Sequence, residues 1–138
     1  MAARPEAPAG RRNPAGLPRF LDLSAIRFPV GAIASIGHRL SGACLVLAMP
    51  WLPDMLARSL RSQDDYDVLL GTWRSPWMAP LEFLILWAFC YHVLAGLRHL
   101  LMDVGVGAGL RAARTSARIV LGLGFAVALV LLVARRLP

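Results

Sequence analysis

The chain has 138 residues, 57% of them hydrophobic, and a mean hydropathy of +0.58, which excludes an ordinary soluble domain and indicates one compact all-α membrane domain. The formal net charge is +7 and the pI about 11.2, with every basic residue an arginine. Those arginines sit at the ends of apolar runs, so the charge is read against a lipid bilayer and no nucleic-acid partner is expected.

Residues 1–20 are rich in Pro, Ala, Arg and Gly and read as a mobile cytoplasmic tail, followed by a membrane anchor over 21–138. Arg11-Arg12 is not followed closely by an apolar run, so a basic tail is preferred to a twin-arginine signal. Three apolar spans are expected, at about 28–52, 77–100 and 113–134. Each supplies about 20 helical residues, enough for a hydrocarbon core about 30 Å thick.

Span one carries Ser35, His38, Arg39 and Gly42. Their offsets of about one and two turns place them on one helix face. An arginine inside a span is costly in lipid and needs a polar or anionic partner, or must snorkel to the headgroups; both readings of Arg39 stand. Gly37 and Ser41 form a small-xxx-small pair suited to helix packing. The connection to span two holds Arg58, Arg61 and Arg74 against Asp54, Asp64, Asp65 and Asp67. Trp51, Trp73 and Trp77 read as one aromatic belt, and Glu82 is expected at the outer interface.

The end of span two is the most informative stretch: His92-Val-Leu-Ala-Gly-Leu-Arg-His-Leu-Leu-Met-Asp103. His92, Gly96, His99 and Asp103 share one stripe. Ionisable groups at membrane depth are rare and mark functional sites. A histidine followed one turn later by a glycine suits a flat cofactor, because the imidazole offers a ligand nitrogen and the glycine leaves room. A helix-packing hydrogen bond is the competing role for a single intramembrane histidine. Asp103 reads as a cap on Arg98 or Arg111, or as a proton relay. The Gly105–Gly109 segment is a turn, lacking the strand and Lys-Ser/Thr of a phosphate loop.

Arg4, Arg11, Arg12, Arg19 and Arg27, and Arg111 and Arg114 flanked by Arg98 and Arg118, put the N-terminus and the second connection in the cytoplasm. Arg135 and Arg136 at the outer C-terminus oppose that rule. With this orientation, Ser35–Arg39 and His92–His99 fall at similar depth on antiparallel spans. They are expected to line one pocket of imidazoles, a hydroxyl and the guanidinium groups of Arg39 and Arg98. Arginine pairs with carboxylates such as haem propionates, and Ser and Arg donors suit quinone carbonyls. Cys44 and Cys90 lie inside apolar segments and read as inert thiols; two cysteines cannot hold an iron–sulfur cluster that needs four ligands.

The stretches Ser35-Ile-Gly-His-Arg-Leu-Ser-Gly42 and His92–Asp103 resemble, in sequence and in order, the cytochrome b membrane-anchor subunits of succinate dehydrogenase (complex II). The resemblance covers about residues 17–134 and is carried mainly by these motifs. The N-terminal part departs from it: Arg19-Phe-Leu-Asp-Leu23 stands where many members have a Ser-Pro-His-Leu-x-x-Tyr stretch. The resemblance implies a three-helix anchor, not catalytic on its own, in a heteromeric helical bundle of a bacterial inner membrane. Its partners would be a flavoprotein subunit, an iron–sulfur subunit and a second membrane anchor. It implies haem b as cofactor and ubiquinone or menaquinone as substrate. It gives His92 as the axial iron ligand, the other ligand coming from the partner anchor, and His38 beside a propionate. His99 and Arg98 are further cofactor-binding candidates, His99 near the interface suiting propionates, water or backbone better than iron. Ser35 and Arg39 would face the quinone. A fumarate reductase anchor using menaquinone and a haem-free structural anchor are the alternatives.

Overall fold

The computed structural model describes residues 28–137; the N-terminal tail, with Arg4, Arg11, Arg12, Arg19 and Arg27, lies outside them. Among the described residues all regular structure is helical: α1 (Val30–Ala48), α2 (Trp51–Ser59), α3 (Gln63–Arg74), α4 (Ala79–Asp103) and α5 (Leu110–Arg136). Of these, α1, α4 and α5 are long and apolar enough to cross a membrane. The 19 residues of α1 extend about 28 Å, close to the hydrocarbon thickness.

Span one ends earlier than the expected position 52, at Ala48. Pro50 is the reason: it has no N–H to continue the ladder, and its ring would meet the carbonyl four residues back. The connection that follows is not the plain loop the polar residues suggest but two short helices. Pro53 sits in the first turn of α2, where a missing N–H is harmless. Ser62 starts α3 by accepting the Asp65 amide at 3.0 Å, with Asp64 and Asp65 against the positive end of the helix. A 3-10 turn, Pro76–Met78, leads into α4. At its other end α4 stops in a Schellman motif: Val106 N–H donates to Leu101 O (2.8 Å) and Gly105 N–H to Met102 O (3.0 Å). Gly105 takes φ +86°, which explains a glycine there.

The spanning helices form a small bundle with α4 in the centre, antiparallel to both neighbours. His92 meets α1 near Gly42 while His99 approaches His38. Tyr91 meets Gly124 of α5 while Glu82 reaches Arg135. The interface is made of small residues: Ala34 and Ser41 on α1, Ala88 and Ala95 on α4, Ala117, Gly124 and Ala128 on α5, all buried. Lipid is as apolar as leucine, so helices associate through close backbone approach, and small side chains permit it. Into this seam one large group is inserted. Tyr91 is fully buried, wedged between Gly37 and Gly124, stacked on Trp87 at 5.5 Å, with its hydroxyl donating to Ala34 O at 2.8 Å. Large apolar residues such as Leu40, Val46, Phe89, Leu100 and Val130 point outward, as expected for lipid-facing positions.

At the end opposite the histidines, Glu82 is buried (3% exposed) instead of reaching the interface as expected. It forms ion pairs with Arg135 and, at 2.8 Å, Arg136. Arg136 also donates to the carbonyls of Trp73, Arg74 and Ser75. The two arginines that oppose the positive-inside rule are thus satisfied by a carboxylate and by backbone within the chain itself.

Candidate functional site

All three histidines of the chain converge where α1 meets α4. The rings of His38 and His92 stack with centroids 4.2 Å apart, and His99 lies 5.2 Å from His38, tilted by 44°. The motifs bring them together because antiparallel packing of α1 on α4 sets the two polar stripes at one depth. The His92 and His38 rings are each seated by a glycine of the facing helix. A Cβ on Gly42 would stand 2.9 Å from His92 Cε1, and one on Gly96 would stand 3.4 Å from His38 Nε2. The room left by Gly96 accommodates the His38 imidazole of α1.

The orientation of His92 follows from its hydrogen bonds. Nδ1 lies 3.2 Å from Ser41 Oγ and 3.2 Å from the His38 carbonyl oxygen. Ser41 commits its one proton to that same carbonyl at 2.9 Å. Both groups facing Nδ1 are then acceptors, so Nδ1 carries the hydrogen and Nε2 keeps its lone pair. This is the tautomer a metal-binding imidazole needs. Ser41 is fully buried, a position the small-residue pattern marked for packing alone. What its sequence position could not reveal is that its hydroxyl meets a side chain 51 residues away.

Ser35, half-buried, and Arg39, exposed, continue along the flank of α1 beyond His38 and Gly42, on the side that α4 and α5 leave uncovered. Arg98 does not join the cluster. It is the neighbour of His99 but points a quarter-turn away, toward α5, where Nε donates to Ser116 Oγ (2.9 Å) and Nη2 to Ala113 O (3.0 Å). It is buried there and serves as a helix-to-helix lock, so the expectation that it lines the pocket is corrected. Asp103 is exposed and pairs with neither Arg98 nor Arg111. Cys44 and Cys90 are free thiols.

Among the described residues no three His, Cys, Asp or Glu side chains are disposed to hold a metal ion by themselves. The donor set fits a porphyrin better than a bare ion: one oriented imidazole for an iron whose equatorial ligands are not protein. These features describe an intramembrane helical anchor with an imidazole cluster where α1 meets α4. Over residues 14–131 the chain matches the family model for the succinate dehydrogenase/fumarate reductase transmembrane subunit, and it belongs to that family. It is 37% identical over 118 residues to a succinate dehydrogenase cytochrome b556 subunit of Coxiella burnetii (83% of this chain, 91% of the relative). It is 34% identical over 103 residues to one of Paracoccus denitrificans (70% and 74%). The mitochondrial cytochrome b560 subunit of Dictyostelium discoideum is 31% identical over 81 residues (59% and 42%).

Proposed function

We propose that this chain is the cytochrome b anchor of a succinate dehydrogenase, binding haem b together with a second anchor subunit and contributing to the quinone-reduction site. It is a membrane subunit and not a catalyst on its own; a flavoprotein and an iron–sulfur subunit would dock on the cytoplasmic side of a bacterial inner membrane. The observation that carries the reading is the disposition of His92, half-buried between α1 and α4, with Nδ1 held by α1 and no hydrogen bond to Nε2 among the described residues. The names of the relatives, cytochrome b556 and b560 subunits of succinate dehydrogenase, support it and favour that direction over fumarate reduction.

In this reading His92 ligates the iron, and His38 and His99 supply donors for propionates. Bound haem provides a one-electron redox centre whose potential depends on axial ligation and surrounding hydrogen bonds. Ser35 and Arg39 are donors placed to orient quinone carbonyls, Arg39 holding its charge in a medium where such a bond is strong. Gly37 and Gly124 let α1 and α5 pack closely against Tyr91 of α4, which sets the helices that carry the donors side by side.

The test is His92→Ala in the complex purified through a tag on this subunit. The expected result is co-purification of a flavoprotein, an iron–sulfur protein and a second anchor, with loss or high-spin conversion of the b-type spectrum. An unchanged low-spin spectrum would refute the ligand assignment, and a tagged subunit that purifies alone would refute the partners.

A further inference from the structure

We propose that Ser41 is a positioning residue for the iron-binding imidazole: with the His38 carbonyl it holds His92 Nδ1–H and thereby sets the strength of the ligand at Nε2. The inference rests on the haem reading above and goes beyond it, since motif spacing gives Ser41 only a packing role and the relatives' names give it none.

Three observations converge on it. Ser41 Oγ is 3.2 Å from His92 Nδ1, the one side-chain hydrogen bond that nitrogen makes among the described residues. Ser41 is fully buried, so no water competes for its hydroxyl. Its proton is directed to the His38 carbonyl at 2.9 Å, which leaves the oxygen lone pairs facing His92. The next residue, Gly42, makes the room this ring occupies: a Cβ there would stand 2.9 Å from His92 Cε1. A ring held by two acceptors at Nδ1 is turned with Nδ1 toward α1.

The chemical consequence has a sign. An acceptor on Nδ1–H pushes electron density through the ring to Nε2 and makes it a more basic ligand. A more basic ligand favours ferric over ferrous iron and lowers the potential. The Ser41 hydroxyl therefore holds the haem at a lower potential than the His38 carbonyl would alone.

The experiment uses the complete complex in membranes, carrying Ser41→Ala or Ser41→Cys, beside wild type and His92→Ala. The readouts are a redox titration of the b-type spectrum and the rate of haem transfer to excess apomyoglobin in detergent. Ser41→Ala should keep a low-spin spectrum, raise the midpoint potential and speed haem transfer about tenfold, the usual loss for an outer partner of a metal-bound histidine. Ser41→Cys, near in size but a weak acceptor, should shift both in the same direction by less. A purely structural serine would lower thermal stability and leave the potential in place; wild-type potential and transfer rate in both variants would overturn the proposal. If His92→Ala keeps its low-spin spectrum, the haem reading fails instead, and the positioning role falls with it.

Discussion

At the scale of single residues, the site depends on which side of a helix each polar group leaves it. Arg98 and His99 are neighbours, yet one locks α4 to α5 and the other joins the imidazoles facing α1. Arg39 lies on the flank that this chain does not cover, where a snorkelling side chain and a ligand donor look alike. The two roles separate in Arg39→Leu. As a quinone donor, its loss should reduce succinate:quinone activity about 10- to 100-fold, the worth of a hydrogen bond to a charged group. Succinate oxidation by a soluble dye should stay near wild type, because in the proposed assembly that chemistry belongs to the soluble subunits. Both activities are to be measured at equal enzyme content. Equal losses would indicate misassembly, and unchanged quinone reduction would leave Arg39 a headgroup anchor.

At the scale of elements, α4 is the keystone, and Tyr91 is its fixed point against both neighbours. Tyr91 touches Gly124 with side chain and backbone: a Cβ there would meet Cδ2 at 2.9 Å and Cα at 3.1 Å. A flexible side chain could yield, but the Cα cannot. Gly124→Ala should therefore force α5 outward and cost about 1–3 kcal/mol, the range for overpacking a close interface. Tyr91→Phe removes only the bond to Ala34 O and should cost about 0.6–1 kcal/mol. Thermal denaturation of the purified complex, followed by retention of the b-type spectrum, ranks the two. A Gly124→Ala complex no less stable than Tyr91→Phe would contradict this packing.

At the scale of the whole molecule, the two ends of the bundle are built on opposite principles. The end with the histidines leaves polar groups oriented toward an open flank. The other end closes its charges internally, with Glu82 satisfying Arg135 and Arg136, and Arg136 tying down the backbone after α3. That pairing offers a physical reason why a basic C-terminus can lie outside despite the positive-inside rule. Glu82→Gln keeps the shape and removes the charge. It should destabilise the fold by on the order of 2–3 kcal/mol, since the carboxylate is buried while its arginine partners can turn to headgroups. It should also raise the fraction of chains with an inverted C-terminus. Thermal denaturation and the labelling of a cysteine introduced at position 138 by a membrane-impermeant reagent check the two effects. Wild-type stability together with wild-type labelling would show that the ion cluster is incidental.

Much was legible in the residues because the bilayer imposes a simple rule. Three runs long enough to span must be helices, since no water remains to satisfy an open backbone. Polar side chains within those runs stand out, so His92, His38 and His99 could be picked as a group, and antiparallel order gave them a common depth. The short helices α2 and α3 were not expected because the aspartates and arginines of the connection mask short apolar stripes, such as Tyr66, Leu69, Leu70 and Trp73 at helical spacing. Other features belong to tertiary structure alone. Glu82 read as an interfacial acid until α5 brought Arg135 and Arg136 to it, 53 and 54 residues away. Arg98 read as a pocket residue until the rotation of α4 turned it to Ser116. Ser41 read as a spacer until packing set it against His92. A sequence fixes which residues share a helix face; only the packed bundle fixes which face meets which, and so which polar atoms find a partner.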